Sequence, residues 1–180
     1  MKVLALPSLD IYPKRVEHGG MNALQLLEAL KAAKVHLNAL GLEFFKQLNA
    51  IAVSPQTQLE VIEVSVAKLG FADGATIKDI YTRANTLGFS LCPSDFGAYY
   101  RLSYLEQPEG ALGFAPTQHR APPGSVTVAS QPISEDDTVP KGFYLRRIEG
   151  VLWLRGYLSD AAHLWHPEDV FAFSVNFEDR

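Results

Sequence analysis

His163 and His166 stand three residues apart and are followed at once by Glu168 and Asp169. Imidazoles and carboxylates together suit zinc or another divalent ion, and an H-x-x-H pair converges wherever the chain turns. A small metal-dependent hydrolase built on this stretch would use His163, His166 and Glu168 or Asp169, with His119 contributing. No third ligand stands at a characteristic spacing, however. Trp165 and Pro167 shape the same segment into a polar loop whose histidines face water, and that is the favoured reading. No cofactor is expected.

Cys92 is the single cysteine, which leaves no partner for a disulfide and no multi-cysteine zinc site. A nucleophilic thiolate needs a base or a helix N-terminus to lower its pKa. Cys92 instead sits between Leu91 and Pro93, just past the C-terminal end of a predicted helix, where the dipole opposes negative charge. It reads as a small buried hydrophobe. Asp95 and Glu106, with Arg101 between them, contain the residue types of an acid–base pair. Nothing in their spacing splits two carboxyl pKa values, so a turn aspartate and solvated charges are expected. The chain has no G-x-S-x-G elbow, no G-x-G-x-x-G and no phosphate-cradling G-x-x-x-x-G-K-[ST] loop.

A different chemistry is suggested by aromatic rings interleaved with arginines. Tyr99, Tyr100, Tyr104, Trp153, Tyr157 and Trp165 alternate along the chain with Arg101, Arg146, Arg147 and Arg155. Tyr, Trp and Arg are the residues that carry most binding energy at protein interfaces. Within this set Tyr100, Arg101, Tyr104, Arg147, Trp153 and Arg155 are the candidate binding residues. The function expected is therefore a non-catalytic cytoplasmic binding or protein-interaction domain. It would present a sheet face or the Pro-rich 111–124 loop to a protein partner.

Bulk properties narrow the partner. A net charge of -4 leaves no global field favouring nucleic acid or an anionic membrane. No window approaches the roughly 18 apolar residues of a membrane span. The apolar run Val3–Leu6 before Pro7 falls short of the about 7–15 residues of a signal peptide core. Cytoplasmic placement is the expectation.

The elements that must position these residues are unevenly marked. Residues 1–20 read as an N-terminal arm, with Val3–Leu6 as a short edge strand. Residues 21–180 read as one α+β domain, helical over 21–50 and sheet-forming over 58–180. Asn22, with Gln25 at N3 and Met21 ahead of Leu26, opens a first helix through a capping box and a hydrophobic staple. A second runs over about 39–49 with Leu42, Phe45 and Leu48 inward. A β-branched run from Leu59 to Leu69 predicts a strand.

Ile77, Ile80, Tyr81, Ala84 and Leu87 share one helical face, opened by Thr76 with Asp79 and closed by Gly88. Tyr100, Leu102 and Tyr104 alternate with polar residues and predict a strand. Glu149-Gly150 joins two β-rich runs, 143–148 and 151–158, as a two-residue hairpin. Trp153 and Tyr157 fall on one face of the second run, Leu152 and Leu154 on the other. Val170–Val175 supplies a last strand. This order predicts a helical pair plus a mainly antiparallel sheet of five to six strands, with one further helix packed on it.

Gly74-Ala75-Thr76, Asp79-Ile80-Tyr81, Arg83-Ala84, Leu87-Gly88 and Leu91-Cys92-Pro93 together resemble a family of short uncharacterised bacterial proteins. The similarity continues through Arg101-Leu102, Gln107-Pro108, Leu152-Trp153-Leu154 and 170–173, covering about residues 20 to 175. It implies a single domain and transfers no activity, cofactor or site residue.

Overall fold

The computed structural model describes residues 12–110 and 121–175. The expected edge strand at Val3–Leu6, His119 and most of the Pro-rich loop lie outside the described residues. Lys14–His18 forms β1, Ala23–Ala32 α1, His36–Leu37 β2 and Ala39–Leu48 α2. Thr57–Ser65 is β3, Ala75–Thr76 β4, Ile77–Thr86 α3, Phe89–Ser90 β5 and Phe96–Ser103 α4. Val126–Val128 forms β6, Gly142–Ile148 β7, Val151–Tyr157 β8, Leu164–Trp165 β9 and Val170–Val175 β10.

Local chemistry starts three helices where the sequence marks them. Asn22 Oδ1 accepts from the Gln25 N–H and Gln25 Oε1 accepts from the Asn22 N–H, both at 2.9 Å, completing the capping box of α1. Thr76 caps α3 by accepting the Asp79 N–H at 3.3 Å, while its hydroxyl donates to the Asp79 carboxylate at 2.7 Å. Asn38 caps α2 through the Gly41 N–H at 2.8 Å. The inward face of α2 differs from expectation, because Phe44 is 0% exposed whereas Leu42 is 48% exposed. Gly41, Phe44, Phe45 and Leu48 make the continuous stripe, a rotation of the face by about one residue.

Eight strands form one mixed sheet in the order β1-β3-β10-β6-β7-β8-β2, with β5 also paired to β10. The last strand, β10, has three partners in it. One edge runs antiparallel to β3; the other meets β6 in parallel at Val170–Ala172 and β5 antiparallel at Ser174–Val175. A second parallel pair joins β2 to β8. β4 and β9 make a separate two-stranded ladder. The expectation of a mainly antiparallel sheet of five to six strands is thus corrected to an eight-stranded mixed sheet with four helices among the described residues. Three strands were not expected: β1, which lies in the stretch read as an N-terminal arm, and β2 and β5, which have two residues each. So short a strand carries no periodicity; only its neighbour makes it one.

Alternate residues divide between two cores, as period two requires. Val61 of β3 and Ala172 of β10 pack under α1, α2 and α4 with Leu30, Phe44, Phe96 and Phe143. Ile62, Val64, Phe171 and Phe173 turn the other way, under α3, where they meet Ile80, Ala84 and Trp165. Complete burial of each phenylalanine contributes roughly 1.5–3 kcal/mol.

The strand expected at Tyr100–Leu105 is helix α4. Phe96, Tyr99, Tyr100 and Arg101 are all buried on it, a helical rather than an alternating pattern. Short aromatic runs favour strands only where a pleated neighbour is available. Here the rings are instead taken up by His18, and by each other: Phe96 stacks on Tyr100 and Tyr100 on Tyr104, at 5.7 and 5.5 Å. Among the described residues no helix is long and apolar enough to cross a membrane.

Candidate functional site

β7 and β8 form the hairpin that the sequence marks at Glu149-Gly150. Both turn residues have positive φ, 50° and 74°, which gives the turn the twist of its flanking strands. The ladder pairs Tyr144 with Arg155 and Arg146 with Trp153. Those four side chains share one face. Phe143, Leu145 and Leu154 occupy the opposite face and are fully buried beneath the helices. β2 extends the exposed face by setting His36 opposite Trp153, with the two rings edge-to-face at 5.1 Å.

On this face the Arg155 guanidinium lies 5.2 Å from the Trp153 ring centre and 5.9 Å from that of Tyr144. Ring quadrupoles attract a cation at these distances. Burial pushes the Arg146 guanidinium below its ordinary pKa; Tyr144 opposes that shift and the positive charge of Arg155 adds to it. The Nε atoms of both arginines are buried and donate to nothing. Among the described residues neither arginine pairs with a carboxylate, although Lys14, Arg15 and Arg147 each have one. The face is cationic, aromatic and half-buried, within a chain whose net charge is -4.

The six candidate binding residues divide between the two sides of the sheet. Trp153 and Arg155 belong to the face just described. Tyr100, Arg101, Tyr104 and Arg147 lie with α4 on the other side and have partners of their own. The Tyr100 hydroxyl donates to Glu63, and Lys14 Nζ bonds Glu63 Oε1 at 3.0 Å while lying 3.5 Å from the Tyr104 ring centre. Burial and then the neighbouring Glu63 charge hold the Tyr100 hydroxyl well above its ordinary pKa.

Arg101 is 0% exposed and donates to Gln107 Oε1 and the Tyr104 carbonyl. Gln107 in turn donates to the Gly124 and Leu145 carbonyls at 3.1 and 3.2 Å. Burial pushes the guanidinium down to about 10. Arg147 lies 3.3 Å from the Glu109 carboxylate. These contacts anchor the 104–110 segment.

His166 Nδ1 lies 3.9 Å from Glu168 Oε2. The two-residue strand β9 lies between the histidines. His163 packs edge-on against Trp165 at 5.0 Å, and His166 Nδ1 accepts the Glu168 N–H at 3.3 Å. Among the described residues no group of three or more His, Cys, Asp or Glu side chains is arranged to hold a metal. Cys92 is buried with its thiol pushed up to about 12 by desolvation. Asp95 is not a partner of Arg101; its carboxylate lies 2.8 Å from Nε2 of the buried His18.

Tyr144, Arg146 and His36 are the surface residues that the candidate set omitted. Tyr144 and Arg146 were recoverable from the hairpin, because a two-residue turn fixes the register and hence which residues oppose Trp153 and Arg155. His36 carried no such signal, since β2 is recognisable only from its pairing with β8. No family model matches the chain, and no curated protein or solved structure matches it, so the reading of this face rests on its geometry.

Proposed function

We propose that the chain is a non-catalytic protein-interaction domain whose contact surface is the Tyr144–Arg146–Trp153–Arg155 face, and whose partner presents carboxylates. One observation carries this reading: Arg155 is held against the Tyr144 and Trp153 rings with Arg146 beside it on the same face, and among the described residues neither pairs with an acidic side chain. A planar guanidinium already oriented by stacking loses little entropy when it forms a bidentate bond to a carboxylate. The arginines are also partly desolvated, so an incoming carboxylate meets stronger electrostatics than at an open surface. Trp153 and Tyr144 supply rigid apolar area beside them, the usual composition of an interface hot spot. A lone buried thiol suits a reducing, cytoplasmic setting.

The test is titration of the chain with a glutamate-rich peptide, a glutamine-rich peptide of equal length and oligothymidylate, read by calorimetry and tryptophan fluorescence. The glutamate peptide binds, the glutamine peptide does not, and Arg155→Ala weakens binding about tenfold, equivalent to about 1.4 kcal/mol. Affinity falls as salt rises. Preference for oligothymidylate, or equal binding of both peptides, overturns the proposal.

A further inference from the structure

A cavity of about 390 Å³ opens beside α3, lined by α3, the 130–137 segment and the chain from β8 to β9, and its Tyr157 wall stands 6.4 Å from the Tyr144 ring of the arginine face. Its size is that of a small-molecule site. Tyr81, Tyr157, Trp165 and Ile77 make its walls. The Tyr157 and Trp165 rings stand at 89° to one another with centres 5.7 Å apart, two perpendicular aromatic walls. Trp165 is 5% exposed, and its indole N–H is buried without an acceptor.

The polar lining is unbalanced. Glu135, Asp137 and Asp160 supply three carboxylates against the ammonium groups of Lys78 and Lys141. Lys141 is already engaged: its Nζ donates to the Ser134 and Asp136 carbonyls at 3.1 and 3.0 Å and lies 3.4 Å from Asp137 Oδ1. Lys78 alone is left to offset Glu135 and Asp160. Aromatic walls beside uncompensated carboxylates attract a positive charge, the rings through their quadrupoles and the carboxylates directly. An anionic ligand would be repelled by the carboxylates, and a neutral one would lack the charge attraction that both features offer.

We propose that this cavity binds a small organic ammonium ion, with its apolar body against Tyr81, Tyr157 and Trp165 and its charge toward Asp160 and Glu135. The site adjoins the arginine face through Tyr157 but takes a ligand of opposite charge. Isothermal titration of the full chain with phenethylammonium, with the isosteric neutral alcohol and with phenylpropionate tests it. The ammonium binds at about millimolar concentration or better, and the alcohol and the carboxylate bind at least about tenfold more weakly. Asp160 is exposed, so Asp160→Asn leaves the fold intact and weakens the ammonium about fivefold. Ile77→Trp fills the cavity and removes binding; an unchanged circular dichroism spectrum separates that loss from unfolding. Equal binding of the alcohol, no binding of any of the three, or an ammonium affinity unmoved by Asp160→Asn combined with Glu135→Gln overturns the proposal.

Discussion

Arg101 shows how a guanidinium is kept in a core without a carboxylate. Its charge is shared between a side-chain amide and a backbone carbonyl, and burial lowers its pKa to about 10 as the cost of that arrangement. Nothing in the residues around it signals this, because Tyr-Arg-Leu-Ser-Tyr reads equally as a solvent-facing binding strand. Cys92 is the opposite case. Its neighbours Leu91 and Pro93 marked it as buried, and the structure holds it under β10 with the thiol bonded to the Ala172 carbonyl at 3.7 Å. A thiol pushed up to about 12 carries almost no thiolate at neutral pH. Native chain at pH 8 is therefore expected to react with a disulfide reagent at least about a hundredfold more slowly than urea-unfolded chain. Equal rates in the two states would contradict the burial.

One side chain hydrogen-bonds α2 to β8 where they pack together. Asn38 Oδ1 accepts from the N–H groups of Gly41 and Gly156, both at 2.8 Å, and its Nδ2 donates to the Gly156 carbonyl at 3.0 Å. It is a helix cap and a sheet anchor together. Asn38→Ala removes the cap and leaves the Gly156 N–H without its acceptor, so a loss of about 2–3 kcal/mol is expected. Gly156→Ala is the companion change, because a Cβ there would lie 2.5 Å from the Leu40 backbone. The helix would have to lift from the strand, at about 1–3 kcal/mol. Urea midpoints check both, and a shift below 0.5 kcal/mol for Asn38→Ala would refute the anchor. At this scale the sequence marked α1 and α3 well, through caps that act within one helical turn. It mislabelled α4, whose rings gain their partners from β1 and from one another.

Across the whole molecule, acids kept protonated by burial set the response to alkali. Cys92, Tyr81, Tyr100 and Tyr157 all have pKa values raised in the folded chain, with desolvation the largest cause in each. The unfolded chain gives up these protons first, at about pH 8.5–10, while the folded chain retains them. The folded state then binds more protons, so its stability is undiminished below that range and falls as pH rises through it. Arg101 acts in the opposite sense above about 10, and offsets one group of the four. The urea midpoint is expected to be level near neutrality and to drop steadily from about pH 9 to about pH 11. A flat profile would mean that these hydroxyls reach water.

What the sequence determined by itself is what neighbours along the chain can enforce: the capping box at Asn22, the capped stripe of α3, and a hairpin whose register puts Trp153 and Arg155 on one face. Those interactions close within a few residues, so residue order alone expresses them. Tertiary structure decided the rest. It made strands of His36–Leu37 and Phe89–Ser90, set β10 between β3 and β6, and buried Arg101. Each of those outcomes depends on partners tens of residues away. A two-residue strand has no period of its own, and a charged side chain is buried only where distant acceptors happen to meet it.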